Sequence, residues 1–149
     1  MNHRVVDKKD LRNYVLQLIS DKIEKLENFI EFTVEASRDI KKTPKYDSIR
    51  EEAQEEIYQL QKQLAGFYEM QKSMTKVLNK EFDKINLGSL VITNKARFYI
   101  SVSLGEFFFE GDRFYAISQE SPIAQKMLGL RVGDEFILNK IHQKIEEIV

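Results

Sequence analysis

Asp39 stands among Arg38, Lys41, Lys42 and Lys45, a single carboxylate within a run of four cations. The segment falls between two long helical stretches, so it forms the tip of a chain reversal. Two kinds of chemistry are open to it. Turns are commonly polar and solvated, and the charges need mean no more than that. A long rod that ends in a carboxylate can also deliver an oxygen ligand to a hard cation held elsewhere. Asp47, just beyond the turn, offers a second carboxylate if the loop is arranged to bring it near. Glu51, Glu52, Glu55 and Glu56 follow in the first turns of the next helix, where the helix dipole favours acids. A solvated helix face is expected there rather than a metal cluster. His3 and His142 are the only histidines and neither lies in a ligand-spaced group. Cysteine is absent, which excludes thiolate ligands, thiolate nucleophiles and disulfides. The chain has no Gly-x-Ser-x-Gly elbow, phosphate-cradling glycine loop or dinucleotide fingerprint. A self-contained active site is therefore not expected: the chain reads as a non-enzyme that holds no cofactor alone.

The elements that position the tip are marked by hydrophobic spacing. Ala53, Ile57, Leu60, Leu64, Phe67, Met74 and Leu78 alternate steps of four and three, with Gln71 interrupting, as an a/d seam requires. The stretch before the tip answers with Val15, Ile19, Leu26, Ile30 and Thr33, and with Leu18, Ile23 and Phe29 beside them. It has no glycine or proline from Met1 to Thr43. Two stripes of similar length joined by a short polar segment are expected to zip as an antiparallel hairpin, with a tip at about residues 38–46. Thirty-odd residues per arm give a rod of roughly 45 Å. Thr43-Pro44 marks the start of the second arm, since proline at the first helical position gives up only a donor that would be unpaired.

After Asn86-Leu87-Gly88 the pattern changes to short runs rich in Val, Ile, Phe and Tyr. Ser89–Thr93, Arg97–Ser103, Glu106–Glu110, Arg113–Ser118, Glu135–Leu138 and Gln143–Ile148 are expected as strands. The one helix among them is expected over Ile123–Leu128. The fold class is therefore α+β, a helical hairpin over residues 1–86 followed by a small antiparallel sheet with one short helix over 87–149. Phe107-Phe108-Phe109 breaks alternation, which predicts a strand covered on both faces.

Bulk properties narrow the partners. The net charge of −1 over 149 residues gives no global field for nucleic acid or an anionic membrane. No apolar run nears the roughly 20 residues that span a bilayer, and no signal-peptide core is present. A cytoplasmic protein with no membrane partner is expected.

One segment carries more than architecture. Ser118-Gln119-Glu120-Ser121-Pro122-Ile123-Ala124-Gln125-Lys126-Met127-Leu128-Gly129-Leu130-Arg131-Val132-Gly133-Asp134 resembles the C-terminal signature of the bacterial Gre-type transcript-cleavage and elongation factors. That signature runs Ser-Pro-x-Ser-Pro-(Ile/Leu)-Gly-x-x-(Leu)-Leu-Gly-Lys-x-x-Gly-Asp. Gly88-Ser89-Leu90-Val91, Ala116-Ile117-Ser118 and the final Lys144–Ile148 fit the same domain. In the hairpin, Tyr46 and Arg50-Glu51-Glu52 sit as in the family's Tyr-x-x-x-Arg-Glu-Glu. The resemblance implies an FKBP-like head that docks at the rim of the RNA polymerase secondary channel while the coiled coil points toward the active site. It implies that Glu120, Ser121, Pro122 and Ile123 form the docking loop. It also implies that tip carboxylates help hold a Mg²⁺ shared with the polymerase, so that backtracked RNA is hydrolysed by the polymerase itself. Contact with nascent RNA would then be indirect, with no sequence-specific DNA binding.

Aligned on Tyr46, Asp39 falls on the family's first tip acid, but Lys42 falls on its second, and Lys41 and Lys45 add positive charge. Asp39 is thus the metal-proximal candidate, with Asp47 behind it, and occupancy of the channel without cleavage stands beside stimulated cleavage. Two other classes are weighed. A coiled-coil adaptor would pair its seam between chains. A peptidyl-prolyl isomerase would follow from an FKBP-like head, but short strands and one short helix leave little room for a proline pocket.

Overall fold

Asp7 starts the first helix by accepting from the backbone N–H of Lys9 (2.9 Å) and Asp10 (3.4 Å), which satisfies donors that a helix start leaves free. In the computed structural model, which describes residues 5–149, helix α1 then runs over Lys8–Arg38 and α2 over Asp47–Ser73. Between them Pro44–Tyr46 forms a single 3₁₀ turn. Thr43 caps that turn in an extended conformation with no side-chain hydrogen bond, so the second helix proper begins three residues later than Thr43-Pro44 suggests. His3 lies outside the described residues.

Packing divides the chain into two compact units. One gathers the residues up to Leu16 and from Lys72 onward; the other is Gln17–Gln71. The helical stretch expected to reach residue 86 ends at Ser73, with a 3₁₀ turn over Met74–Lys76 and the first strand only at Leu90, whereas the packing break falls within both helices.

In the Gln17–Gln71 unit the helices pair antiparallel. The Tyr68 hydroxyl donates to Glu27, and Lys22 Nζ lies 5.9 Å from the Phe67 ring centre. Ala53, Ile57, Leu60, Leu64 and Phe67 are half-buried as their spacing predicts, as are Leu26, Ile30 and Thr33. Two helices alone cover only one stripe of each other, so no residue of α2 is fully buried. The interruption at Gln71 is resolved by Met70, which is half-buried. Two successive steps of three, Leu64 to Phe67 to Met70, and one of four then carry the stripe to Met74. Two expectations fail. Phe29 is 47% exposed, one position off the stripe, and Leu78 is 53% exposed because α2 has already ended at Ser73.

The other unit is built on a six-stranded sheet. Its strands are β1 (Leu90–Thr93), β2 (Arg97–Ile100), β3 (Gly105–Phe109), β4 (Asp112–Ile117), β5 (Glu135–Leu138) and β6 (Ile141–Ile148). The order is β3-β4-β2-β1-β6-β5. The fold class is α+β, but the sheet is mixed rather than wholly antiparallel, because β2 and β4 run parallel with Phe98, Tyr99 and Ile100 opposite Tyr115, Ala116 and Ile117. The chain leaves β2, crosses to the edge as β3, and returns through the Glu110-Gly111 turn so that β4 fills the space between.

Helix α3 (Pro122–Met127) covers one face of the sheet. Its Ala124 and Met127 pack with Ile85, Val91, Phe98, Ile100, Phe136 and Ile145. Toward the start of α1, Tyr14 lies 5.1 Å from Phe109 and 6.1 Å from Phe107, ring centre to ring centre. Phe107 and Phe109 are accordingly buried, but Phe108 is 52% exposed. The expectation of a strand covered on both faces is corrected: β3 is an edge strand, and Phe108 points outward beneath the guanidinium of its cross-strand partner Arg113, 5.6 Å away.

The same unit anchors the start of α1 by cations on backbone oxygens. Arg12 donates to the carbonyls of Met74 (2.8 Å) and Val77 (2.9 Å), and Lys8 to those of Lys80 (2.6 Å) and Val149 (3.0 Å). Orphan carbonyls after a helix end are satisfied in this way. Among the described residues no helix is long and apolar enough to cross a membrane.

Candidate functional site

Ser118 to Asp134 folds as a turn, a short capped helix and a second turn. The Ser121 hydroxyl donates to the Ser118 carbonyl (2.8 Å) and accepts from the Ala124 N–H (3.3 Å), while Pro122 takes the first helical position. The Gln125 side chain closes the loop on the Gln119 carbonyl. Beyond the helix, Gly129 (φ +84°) and Gly133 (φ +93°) turn the chain through the left-handed region, where a side chain is strained. Asp134 fixes the second turn by accepting from the Arg131 N–H at 2.8 Å.

Most of the signature is therefore explained by backbone geometry. The outer surface of the loop carries side chains that the turn geometry does not use. Glu120 and Pro122 are exposed, Ser121 is half-buried, and half-buried Ile123 packs against the core. Val132, 58% exposed, is an apolar residue of the same segment that residue spacing did not single out. A lone valine inside a turn gives no periodic signal.

At the hairpin tip the structure separates the charges. Helix α1 closes with three-residue bonds, Asp39 N–H to Ala36 and Ile40 N–H to Ser37, both 3.3 Å. The loop then wraps around Arg50. Its guanidinium donates to the carbonyls of Lys41 (2.6 Å) and Thr43 (3.3 Å) and forms an ion pair with Asp47. Arg38, Asp39, Lys41, Lys42 and Lys45 are exposed around this clasp, and the Lys45 ammonium lies 5.7 Å from the Tyr46 ring centre. The role of Arg50 was not drawn from the sequence, although Asp47 and Arg50 stand at the three-residue spacing that lets helix side chains meet.

The set does not fit a divalent cation. Asp39 is one exposed carboxylate flanked by ammonium and guanidinium groups, and Asp47 is engaged by Arg50. Among the described residues no group of three or more His, Asp or Glu side chains is placed to hold a metal ion. Of the early glutamates of α2, Glu55 accepts from Gln59 (2.8 Å), a contact along the helix surface. His142 meets Glu135 across β5 and β6 at 3.5 Å, and both are exposed.

Fold and site together define a two-part protein: an α+β head bearing a capped surface loop, and an antiparallel helical hairpin with a basic tip. No family model matches the sequence, and no curated protein matches it. Among solved structures, the chain is similar to the GreA factor homolog 1 (Gfh1) of Thermus thermophilus, at 17% identity over 90% of this chain and 94% of that one, with a TM-score of 0.37. A second structure, described as the transcription factor Gfh1, matches at 19% identity over 99% of both chains, with a TM-score of 0.32. Likenesses at these values assign no function.

Proposed function

We propose that this protein is a Gre-type regulator of transcription elongation that binds RNA polymerase, docking its head at the secondary channel and directing the hairpin tip toward the active site. The observation that carries this reading is the Ser118–Asp134 segment. Its residues resemble the family signature, and they fold as a capped loop with Glu120 and Pro122 turned to solvent. A coiled-coil adaptor is less well supported, because the seam is paired within the chain through Tyr68–Glu27 and Lys22–Phe67.

Of the two modes, modulation without cleavage is favoured. The family's chemistry uses two tip acids, and here Lys42 takes the place of one while Asp47 is held by Arg50. Stalled, backtracked elongation complexes mixed with the protein decide between them by RNA length over time. Slowed elongation with no shortened transcript is the expected result. Shortened transcripts that vanish with Asp39→Ala would establish cleavage instead, and failure to associate with polymerase would sink the whole reading.

A further inference from the structure

The tip places a cation where a metal-recruiting tip would need oxygen ligands. Two loop carbonyls and one carboxylate, those of Lys41, Thr43 and Asp47, surround one group, the carbonyls at one of its nitrogens and the carboxylate at another, and they are hard donors of the kind that Mg²⁺ takes. That group is the guanidinium of Arg50, covalently part of the chain. The inward oxygens are thus spent on a resident cation, and what faces outward is the opposite of a chelator. Arg38, Lys41 and Lys42 are exposed around the single carboxylate of Asp39. Lys45 stands beside them, partly over the face of Tyr46.

Building on the polymerase-binding reading above, we propose that the tip is a cation mimic. Its partner is an acidic carboxylate cluster of the kind that holds exchangeable divalent ions in two-metal phosphoryl-transfer sites. The Lys41 and Lys42 ammonium groups and the Arg38 guanidinium enter that cluster in place of an ion. Carboxylates gathered in a cleft repel one another and require compensating charge, which either metal or ammonium supplies. The two are then mutually exclusive, and the protein acts by competing with divalent metal. Because the clasp fixes the Lys41–Thr43 backbone through its carbonyls, the lysines are presented on a defined loop rather than a free coil.

Competition has a quantitative signature. When a ligand must displace one ion, its apparent affinity falls in proportion to ion concentration once that ion is near saturation. Binding of the full-length protein to a bacterial RNA polymerase core enzyme is measured on immobilised polymerase from about 0.1 to about 10 mM Mg²⁺, with KCl adjusted to hold ionic strength constant. The expected result is a dissociation constant that rises by roughly tenfold or more across the series. The variant Arg38→Gln/Lys41→Gln/Lys42→Gln is expected to bind more weakly at low Mg²⁺ and to lose the dependence. Lys41→Arg/Lys42→Arg is expected to keep it. Wild-type binding that is equally tight at all Mg²⁺ concentrations overturns the tip proposal and leaves docking intact. The same dependence in the triple-Gln variant also overturns it, since the sensitivity then lies elsewhere. An affinity that responds to added RNA but not to Mg²⁺ would assign the cations to phosphate and overturn it as well. Absence of binding under every condition instead rejects the polymerase-binding reading.

Discussion

The Arg50 guanidinium and the Asp47 carboxylate are paired across one turn at the start of α2, and the same guanidinium holds the carbonyls of Lys41 and Thr43. One side chain therefore both neutralises the second tip acid and ties the loop to the helix that follows it. The clasp on Asp47 and the exposed Lys41, Lys42 and Lys45 act in the same direction, since together they leave Asp39 as the one exposed tip carboxylate not paired with Arg50.

Arg50→Ala tests the clasp. Arg50 is half-buried and Asp47 exposed, at the solvated tip, so global stability is expected to fall by about 1 kcal/mol. The loop itself should open more freely. Hydrogen exchange at Tyr46, whose N–H bonds to the Thr43 carbonyl at 2.9 Å, is expected to speed up on the order of tenfold. Arg50→Lys is not expected to restore protection, because one ammonium cannot reproduce the forked geometry on two carbonyls and a carboxylate. Unchanged exchange in Arg50→Ala would mean that the loop is held by something else.

Tyr99 offers a stability test inside the head. Its ring is fully buried in β2, its hydroxyl has no hydrogen-bond partner among the described residues, and burial pushes its pKa up to about 12. Removing an unsatisfied buried hydroxyl removes its desolvation cost, so Tyr99→Phe is expected to be neutral or to stabilise by about 1 kcal/mol in urea unfolding. The sign with pH follows from linkage. A folded pKa above the unfolded value of 10.0 gives stability that is complete below pH 10 and is lost as pH rises through 12. Wild type should lose stability over that window relative to Tyr99→Phe. A parallel decline in both would refute the assignment.

Lys8 has the opposite sign. Burial lowers its pKa to about 8 from 10.5, against the nearby Glu81 charge, which raises it. The folded state therefore prefers the neutral amine. The protonated form carries a penalty below pH 8 that is relieved as pH rises toward 10.5. Lys8 lines an open cleft with Asp7, Asn79 and Glu81, whose solvent screens the charge, so the gain is expected to be about 1–2 kcal/mol. Lys8→Met should abolish this rise, measured as the difference in urea midpoint between pH 7.5 and pH 10. It should also be less stable than wild type at the upper end, where the carbonyls of Lys80 and Val149 have lost their donor.

The helices and most strands were legible because burial there follows a local period. Ile57, Leu60 and Leu64 at helical spacing are half-buried, and Phe107 and Phe109 at strand spacing are buried. What was not legible depends on pairings far apart in sequence. No residue in Arg97–Ile100 encodes that it will lie parallel to Asp112–Ile117, and that choice is what leaves β3 at the edge and Phe108 exposed. Met70 for Gln71 is a shift of one residue, set by where the stripe must arrive at Met74. At the site, the cap is local, since Ser121 stands directly before Pro122 at the start of α3. The hold of Arg50 on Lys41 spans nine residues of loop whose path the sequence does not give.

The Glu120–Ile123 loop, proposed above to dock on polymerase, separates into residues that build it and residues that present it, and the two should respond differently to substitution. Ser121 is a builder: its hydroxyl caps a helix of only six residues and ties it to Ser118. Ser121→Ala is expected to cost about 1 kcal/mol of stability by chemical unfolding, with polymerase affinity falling only as far as the loop loosens. Glu120 is exposed and takes no part in the cap. Glu120→Lys should therefore leave stability within about 0.5 kcal/mol of wild type while weakening polymerase binding by on the order of tenfold or more. Raising ionic strength should narrow that gap, since it screens an exposed charge. If Glu120→Lys binds as wild type does, the loop is a structural turn and the docking surface lies elsewhere on the head.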